Sequence, residues 1–303
     1  MTLKKYLSII LFSLCMPLML QANDTFILNH ATSADDQRYL YSVKLLKLII
    51  SETEAEYGEA KLDFYPTTMS RDRTLKELTE GQNINVVAEV STQQWNKQLL
   101  SVQLPIRKGI LGYRIFIIRK DTEFEFSQLH TLAQLQTFPT GTISTWSIHS
   151  TLQQAGFQLI DGSSYSGLFH MLQKGRFDSF SRGINEAYKE MQYYQPKYTD
   201  LMVEPTLLLK VPLFSYFYIS PNTPHIAKRI ESGLNSLIAN GKFDALFFQE
   251  HCSALINSQM HLRRTFEISS PHISESQYAT MQQQNDLLLS SDKDYTQDCQ
   301  PYY

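Results

Sequence analysis

After residue 22 the sequence has no apolar run near the roughly 20 unbroken residues that a membrane-spanning helix needs. Positive charge is also short. Its 27 lysines and arginines face 30 aspartates and glutamates, so nucleic acid is not an expected partner. The sequence contains no Gly-rich phosphate loop, nucleophile elbow or paired metal histidines, and His149 and His170 lack ligand spacing. No metal, cofactor or enzymatic activity is therefore assigned. Cysteine occurs three times and tryptophan twice, which makes each position informative.

The chain opens with MTLKKYLSIILFSLCMPLMLQA. Lys4 and Lys5 precede an apolar stretch from Leu7 to Leu20, and the segment ends on a small residue, the pattern of a secretory signal cleaved after Ala22. A retained anchor is the alternative, disfavoured by the short stretch and by the polar Asn23-Asp24-Thr25 that follows. Cys15 suggests lipidation, but Leu14 before it is bulkier than a lipoprotein site normally carries. Removal of Lys4 and Lys5 leaves 25 basic against 30 acidic side chains, a net charge of about −5. Cys252 and Cys299 remain, and an oxidising compartment would let them pair; both staying as thiols is the other reading. The remaining length of about 280 residues exceeds a typical single domain and points to two lobes.

Strands and helices alternate. FIL at 26 to 28 reads as a strand, and Ser33 with Asp36 starts a helix bearing Leu40, Val43, Leu46 and Ile50. LDFY at 62 to 65, a helix from Arg71 to Glu80 stopped by Gly81, and INVVAEV at 84 to 90 complete a β-α-β-α-β unit. The order recurs in TGTIS at 140 to 144, a helix around Leu152, FQLI at 157 to 160, a helix around Leu168, and FDSF at 177 to 180. Such alternation predicts parallel sheet covered by helices in each of two lobes. RIFIIRK at 114 to 120 and VPLFSYFYIS at 211 to 220 read as the strands at which the chain crosses between them. Thr223 and Pro224 then open a helix ending at Gly241, and from about Glu267 the Ser-, Gln- and Asp-rich chain reads as an irregular tail.

With the signal, the segments ELTEGQNINVVAEV, LPIRKGILGYRIFIIRK, LFHMLQKGRFDSFSRGINEA and IESGLNSLIANGKFDALF resemble a periplasmic solute-binding protein of the polar amino-acid receptor type, extracellular solute-binding family 3-like, over roughly residues 24 to 255. The resemblance implies an α/β, two-lobed, type 2 periplasmic binding fold in which each lobe is a mostly parallel sheet flanked by helices, joined by two hinge crossovers. It implies a signal peptide over 1–22, lobe one over 23–114 and 212–260, lobe two over 115–211, and a C-terminal extension over 261–303. It also implies a monomer in the periplasm that closes around a small molecule and serves an ABC permease or a membrane sensor protein. One departure is plain. Where such receptors carry a carboxylate-binding arginine, this chain reads STQQWNKQLLSVQLPI, with Asn96 and Lys97 near the expected place.

Ligands of parallel α/β sheets bind beyond the C-terminal strand ends, where loops enter helix N-termini. Arg182, in the loop or first helical turn after FDSF, is the expected anchor for a carboxylate or phosphate; pairing with Glu186 one turn on is the structural alternative. Trp146 and Trp95 are candidate walls, the alternative being core packing, and Thr145 and Ser147 are candidate hydrogen-bonding groups. Arg71 and Arg73 open the second helix of lobe one, and Arg73 is a weaker candidate. Tyr113 borders the ligand or braces the hinge, and Glu186 is structural or orients Arg182. The expected function is solute capture by hinge closure, for uptake or sensing. The alternatives are a sensor or interaction module without a tight ligand, and a dehydratase-like enzyme using Glu186 or Asp178.

Overall fold

The structure is a computed structural model that describes residues 23–30, 37–273, 278, 279, 281, 283 and 285–302. The expected signal segment and the Ser33–Asp36 helix start lie outside the described residues. In chain order the first part contains β1 (Asp24–Leu28), α1 (Gln37–Glu52), β2 (Ala60–Phe64), α2 (Arg71–Glu80), β3 (Val86–Val90), α3 (Gln93–Gln98) and β4 (Leu100–Val102). The middle contains β5 (Tyr113–Arg119), β6 (Thr140–Thr142), α4 (His149–Gln154), β7 (Leu159–Asp161), α5 (Tyr165–Gln173), β8 (Ser179–Gly183), α6 (Ile184–Tyr194) and β9 (Leu201–Val203). The last part contains β10 (Leu207–Lys210), β11 (Ser215–Ile219), α7 (Pro224–Ala239), α8 (Lys242–Ser258) and β12 (Arg264–Glu267).

Lobe one is built on β1 and β2, which pair in parallel, and on the ladder β3-β11-β4, which is antiparallel. Asn85 joins the two parts: its N–H donates to Ile27 O (2.9 Å), its Oδ1 accepts from Ile27 N–H (2.8 Å) and its Nδ2 donates to Thr25 O (2.7 Å). Lobe two runs β7-β6-β8-β5 and continues through β10 to β12, with β9 also on β5. The parallel pairs β6-β7 and β6-β8 come from its β-α-β units, whereas the crossover strand β5 enters antiparallel to β8, β9 and β10.

Local sequence explains the element ends. Ser70 caps α2 by accepting from Arg73 N–H, and Gly81 closes it in the left-handed region at φ 67. VPLFSYFYIS, expected as one extended stretch, contributes only β11, since the chain is irregular from Val211 to Phe214. That irregular piece is the return crossover. Gly112 O and Val211 N–H mark where the crossovers touch: Val211 donates to Gly112 O at 2.9 Å, and a Cβ on Gly112 would lie 2.0 Å from Val211 O. Only glycine allows that approach.

The strand expected at 177 to 180 runs later, over Ser179–Gly183. Arg182 is therefore a strand residue and not a loop residue, with its Cα opposite Ile115 of β5. Thr140, Ser179 and their hydroxyl contact at 2.9 Å explain the shift, because Asp178 N–H and Ser179 N–H are already committed to Pro139 O at the strand entry.

Candidate functional site

A cavity of ≈ 280 Å³ lies between the lobes at the C-terminal strand ends. Lobe one supplies Leu28 and Asn29 after β1, Arg71 and Thr74 on α2, and Glu89 and Val90 at the end of β3; lobe two supplies Ser147 and Glu186. Arg107, Arg114 and Ser215 line it from the crossovers. Three guanidinium groups and two carboxylates thus face one small space.

Each group is held differently. Arg71 Nη2 donates to Val90 O at 2.7 Å, its Nε stands 3.6 Å from Glu89 Oε1, and its guanidinium lies 5.4 Å over the Trp95 ring. Arg107 donates to Ser42 Oγ at 2.6 Å and lies over Tyr41. Arg114 donates to Ser181 Oγ (3.0 Å) and to Ser181 O (2.8 Å), which fixes its plane across β8. Glu186 accepts from Gly183 N–H at 3.2 Å and pairs with Arg182 at 3.1 Å. Two buried polar atoms at the cavity, Arg71 Nε and Ser215 Oγ, have no hydrogen-bond partner among the described residues. Arg71 Nε is a donor and Ser215 Oγ can donate, so both can give a proton to an acceptor in the cavity.

The eight expected site residues are spread among several environments. Ser147 and Glu186 line the cavity. Arg182 does not; it is 8% exposed and makes a two-point bond to Glu190, Nε–Oε2 2.7 Å and Nη2–Oε1 2.5 Å. Its guanidinium lies 4.8 Å from the Trp146 ring centre and 5.4 Å from those of Tyr165 and Phe180. Burial alone would lower its pKa, but Glu186 and Glu190 outweigh that and raise it, so the charge is permanent. Trp146 stacks on Phe180 within lobe two, and Thr145 is exposed beside it. Trp95 is 2% exposed, packed in lobe one against Tyr218 and beneath Arg71. Arg73 is exposed and faces Glu77.

Tyr113 points to the opposite side of the hinge, where its hydroxyl donates to Leu289 O at 2.5 Å. A larger cavity of ≈ 930 Å³ lies there, between the crossovers and the C-terminal segment. Size alone would favour it. The smaller cavity is the better candidate because it sits at the strand ends and carries the converging charged groups.

Sequence reasoning did not single out Arg107, Ser215 or Glu89. Arg107 and Arg114 bracket the crossover in LPIRKGILGYRIF, and that pair of basic residues around a hinge was the available signal. Ser215 had none, being one hydroxyl inside an aromatic strand. Asn96 is structural: it accepts from Tyr218 Oη at 2.7 Å and donates to Ser91 Oγ at 3.0 Å. Among the described residues no cluster of His, Cys, Asp and Glu could hold a metal ion, and no helix is long and apolar enough to cross a membrane.

No protein-family profile and no curated protein matches the chain. Solved structures do. An ancestral arginine-binding protein bound to arginine is 16% identical, with a TM-score of 0.53, covering 74% of this chain and 97% of its own. An amino-acid ABC transporter substrate-binding protein from Streptococcus pneumoniae bound to L-arginine is 14% identical, TM-score 0.53, covering 75% and 94%. A histidine kinase sensor domain with similarity to periplasmic binding proteins is 13% identical, TM-score 0.52, covering 74% and 94%. At these identities the likeness establishes the fold, a two-lobed α/β binding-protein architecture.

Proposed function

We propose that the chain is a secreted, periplasmic solute-binding protein that captures a small polar ligand, amino-acid-like or a carboxylate, between its lobes. The observation that carries this reading is the convergence of both lobes on one cavity whose wall holds Arg71 Nε, beside Glu89 but without a hydrogen bond, and Ser215 Oγ, buried and without a hydrogen-bond partner among the described residues. In a binding protein such atoms acquire partners when the ligand arrives. A ligand carboxylate between them would accept from both, and Glu89 and Glu186 suit a ligand ammonium. Arg182 then acts from behind, holding Glu186 at the cavity wall. Similar structures bind arginine and serve amino-acid transport, which supports the ligand class and an ABC permease as partner. The Cys252–Cys299 disulfide supports an oxidising compartment.

The test is a thermal-shift screen of the mature chain against the twenty amino acids and small dicarboxylates, followed by calorimetry. A ligand at a hundred times its Kd adds about 2.7 kcal/mol of stability. Arg71→Ala and Ser215→Ala are each expected to weaken any hit at least tenfold with the fold intact; unchanged affinity in both would remove the assignment. The likeness to a kinase sensor domain favours a second reading, a periplasmic sensor for a membrane signalling protein. A flat screen, with binding to a membrane partner in the unliganded state, would select it.

A further inference from the structure

After α8 the chain meets lobe two and, further on, lobe one through its described residues 264–273 and 285–302. Its near end is fixed to lobe two. β12 pairs in parallel with β10, Arg264 N–H donates to Thr206 O (2.7 Å), Ile268 N–H donates to Lys210 O (3.1 Å), and the buried Arg263 donates to Glu204 O (2.6 Å). Its far end is fixed to the hinge and to lobe one. Leu289 N–H donates to Lys108 O (2.9 Å), Leu289 O accepts from Tyr113, and Cys299 is joined to Cys252 on α8.

Between these ends, neighbouring residues hold opposite lobes. Pro271 O accepts from Gln93 Nε2 at 3.2 Å, on α3 of lobe one, while His272 Nε2 meets Ser150 Oγ at 2.7 Å, on α4 of lobe two. α3 begins just beyond Val90 and α4 just beyond Ser147, which line the cavity from opposite lobes, so the two helices separate when the lobes open. Burial and, after it, the Arg71 charge lower the pKa of His272, which favours its neutral form beside Ser150. The solved structures, covered over 94–97% of their own length, account for 74–75% of this chain. The chain therefore has length that the shared fold does not use.

We infer that the described segments 264–273 and 285–299 act as the two anchored ends of a disulfide-tied strap that restrains opening of the lobes, with Pro271 and His272 as its clasp. Two adjacent residues cannot follow two helices that move apart, so opening must break the Gln93 contact, the Ser150 contact or both. The strap thus biases the unliganded protein toward the closed arrangement. The inference assumes hinge motion, not a ligand, and stands apart from the choice between receptor and sensor.

The experiment is small-angle X-ray scattering of the mature, unliganded chain, with no candidate ligand added, on wild type, Gln93→Ala/His272→Ala and Cys252→Ser/Cys299→Ser. Loss of one or two ordinary hydrogen bonds is expected to raise the open-to-closed ratio about two- to tenfold, seen as a larger radius of gyration in the clasp variant. The cysteine variant should expand further, and circular dichroism separates expansion from unfolding. The clasp variant keeps the disulfide and core, so it decides the question if the cysteine variant does not fold. Superimposable scattering from wild type and the folded clasp variant would overturn the inference.

Discussion

Arg182 carries its charge in a place where little else is charged, with two glutamates on one side and aromatic rings on the other. Breaking a buried pair from one side leaves the partner uncompensated, so Arg182→Ala is expected to cost about 3–5 kcal/mol, read as a fall in the urea midpoint. A ligand anchor on the surface would give no such loss. The residues themselves could be picked out from sequence, but not their partners: Glu190 lies eight positions away, beyond the one-turn spacing that made Glu186 the expected mate. His251 is a second buried titrating group, packed against Tyr41 and Phe247 and near Arg107 and Lys189. Burial, then Arg107, lower its pKa to about 3. The unfolded chain binds the proton more readily, so this contribution to stability is complete above about pH 6.5 and is lost as pH falls toward 3, by at most about 1.4 kcal/mol per pH unit. Urea midpoints at pH 7.5 and pH 5 should differ accordingly in wild type and much less in His251→Phe.

Elements were legible where local pattern and burial agree. α2 runs over Arg71–Glu80 as expected from its pattern and its terminal Gly81. β8 was displaced because FDSF and SFSRG are equally extended by pattern, and the choice rests on pairing with β5 and β6. Two tight approaches make element-scale tests. Gly112 admits the Val211 carbonyl at the crossover, so Gly112→Ala should separate the two hinge strands and lower stability by about 1–3 kcal/mol, with raised hydrogen exchange at Val211. Gly233 on α7 lets that helix meet α1, where a Cβ would stand 2.7 Å from Ile49 Cγ2. Beside it the fully buried Arg229 ties α7 to Asp24 (2.9 Å), Thr53 Oγ1 (2.9 Å) and Gly58 O (2.8 Å). Arg229→Ala would leave the Asp24 carboxylate with only His225 beside it, and leave Thr53 and Gly58 O without their donor, and should destabilise by about 3–5 kcal/mol in chemical denaturation.

At the scale of the whole molecule, a ligand that touches both lobes stabilises closure only through contacts the open state lacks. The strap adds a term of the same sign, so in wild type a ligand should compact the protein less than it compacts the clasp variant, as scattering with a screened hit would measure. The sequence by itself determined the alternation of strands and helices and the two-lobed α/β class. These follow from hydrophobic period and turn chemistry, which act over a few residues. Only the tertiary structure decided that Arg182 turns away from the cleft, that Arg71, Arg107, Arg114 and Ser215 meet within it, and that the C-terminal segment joins both lobes. The strand period assigns a face, but which charge lies opposite that face is set by pairing between segments far apart in the chain, and no local pattern encodes it.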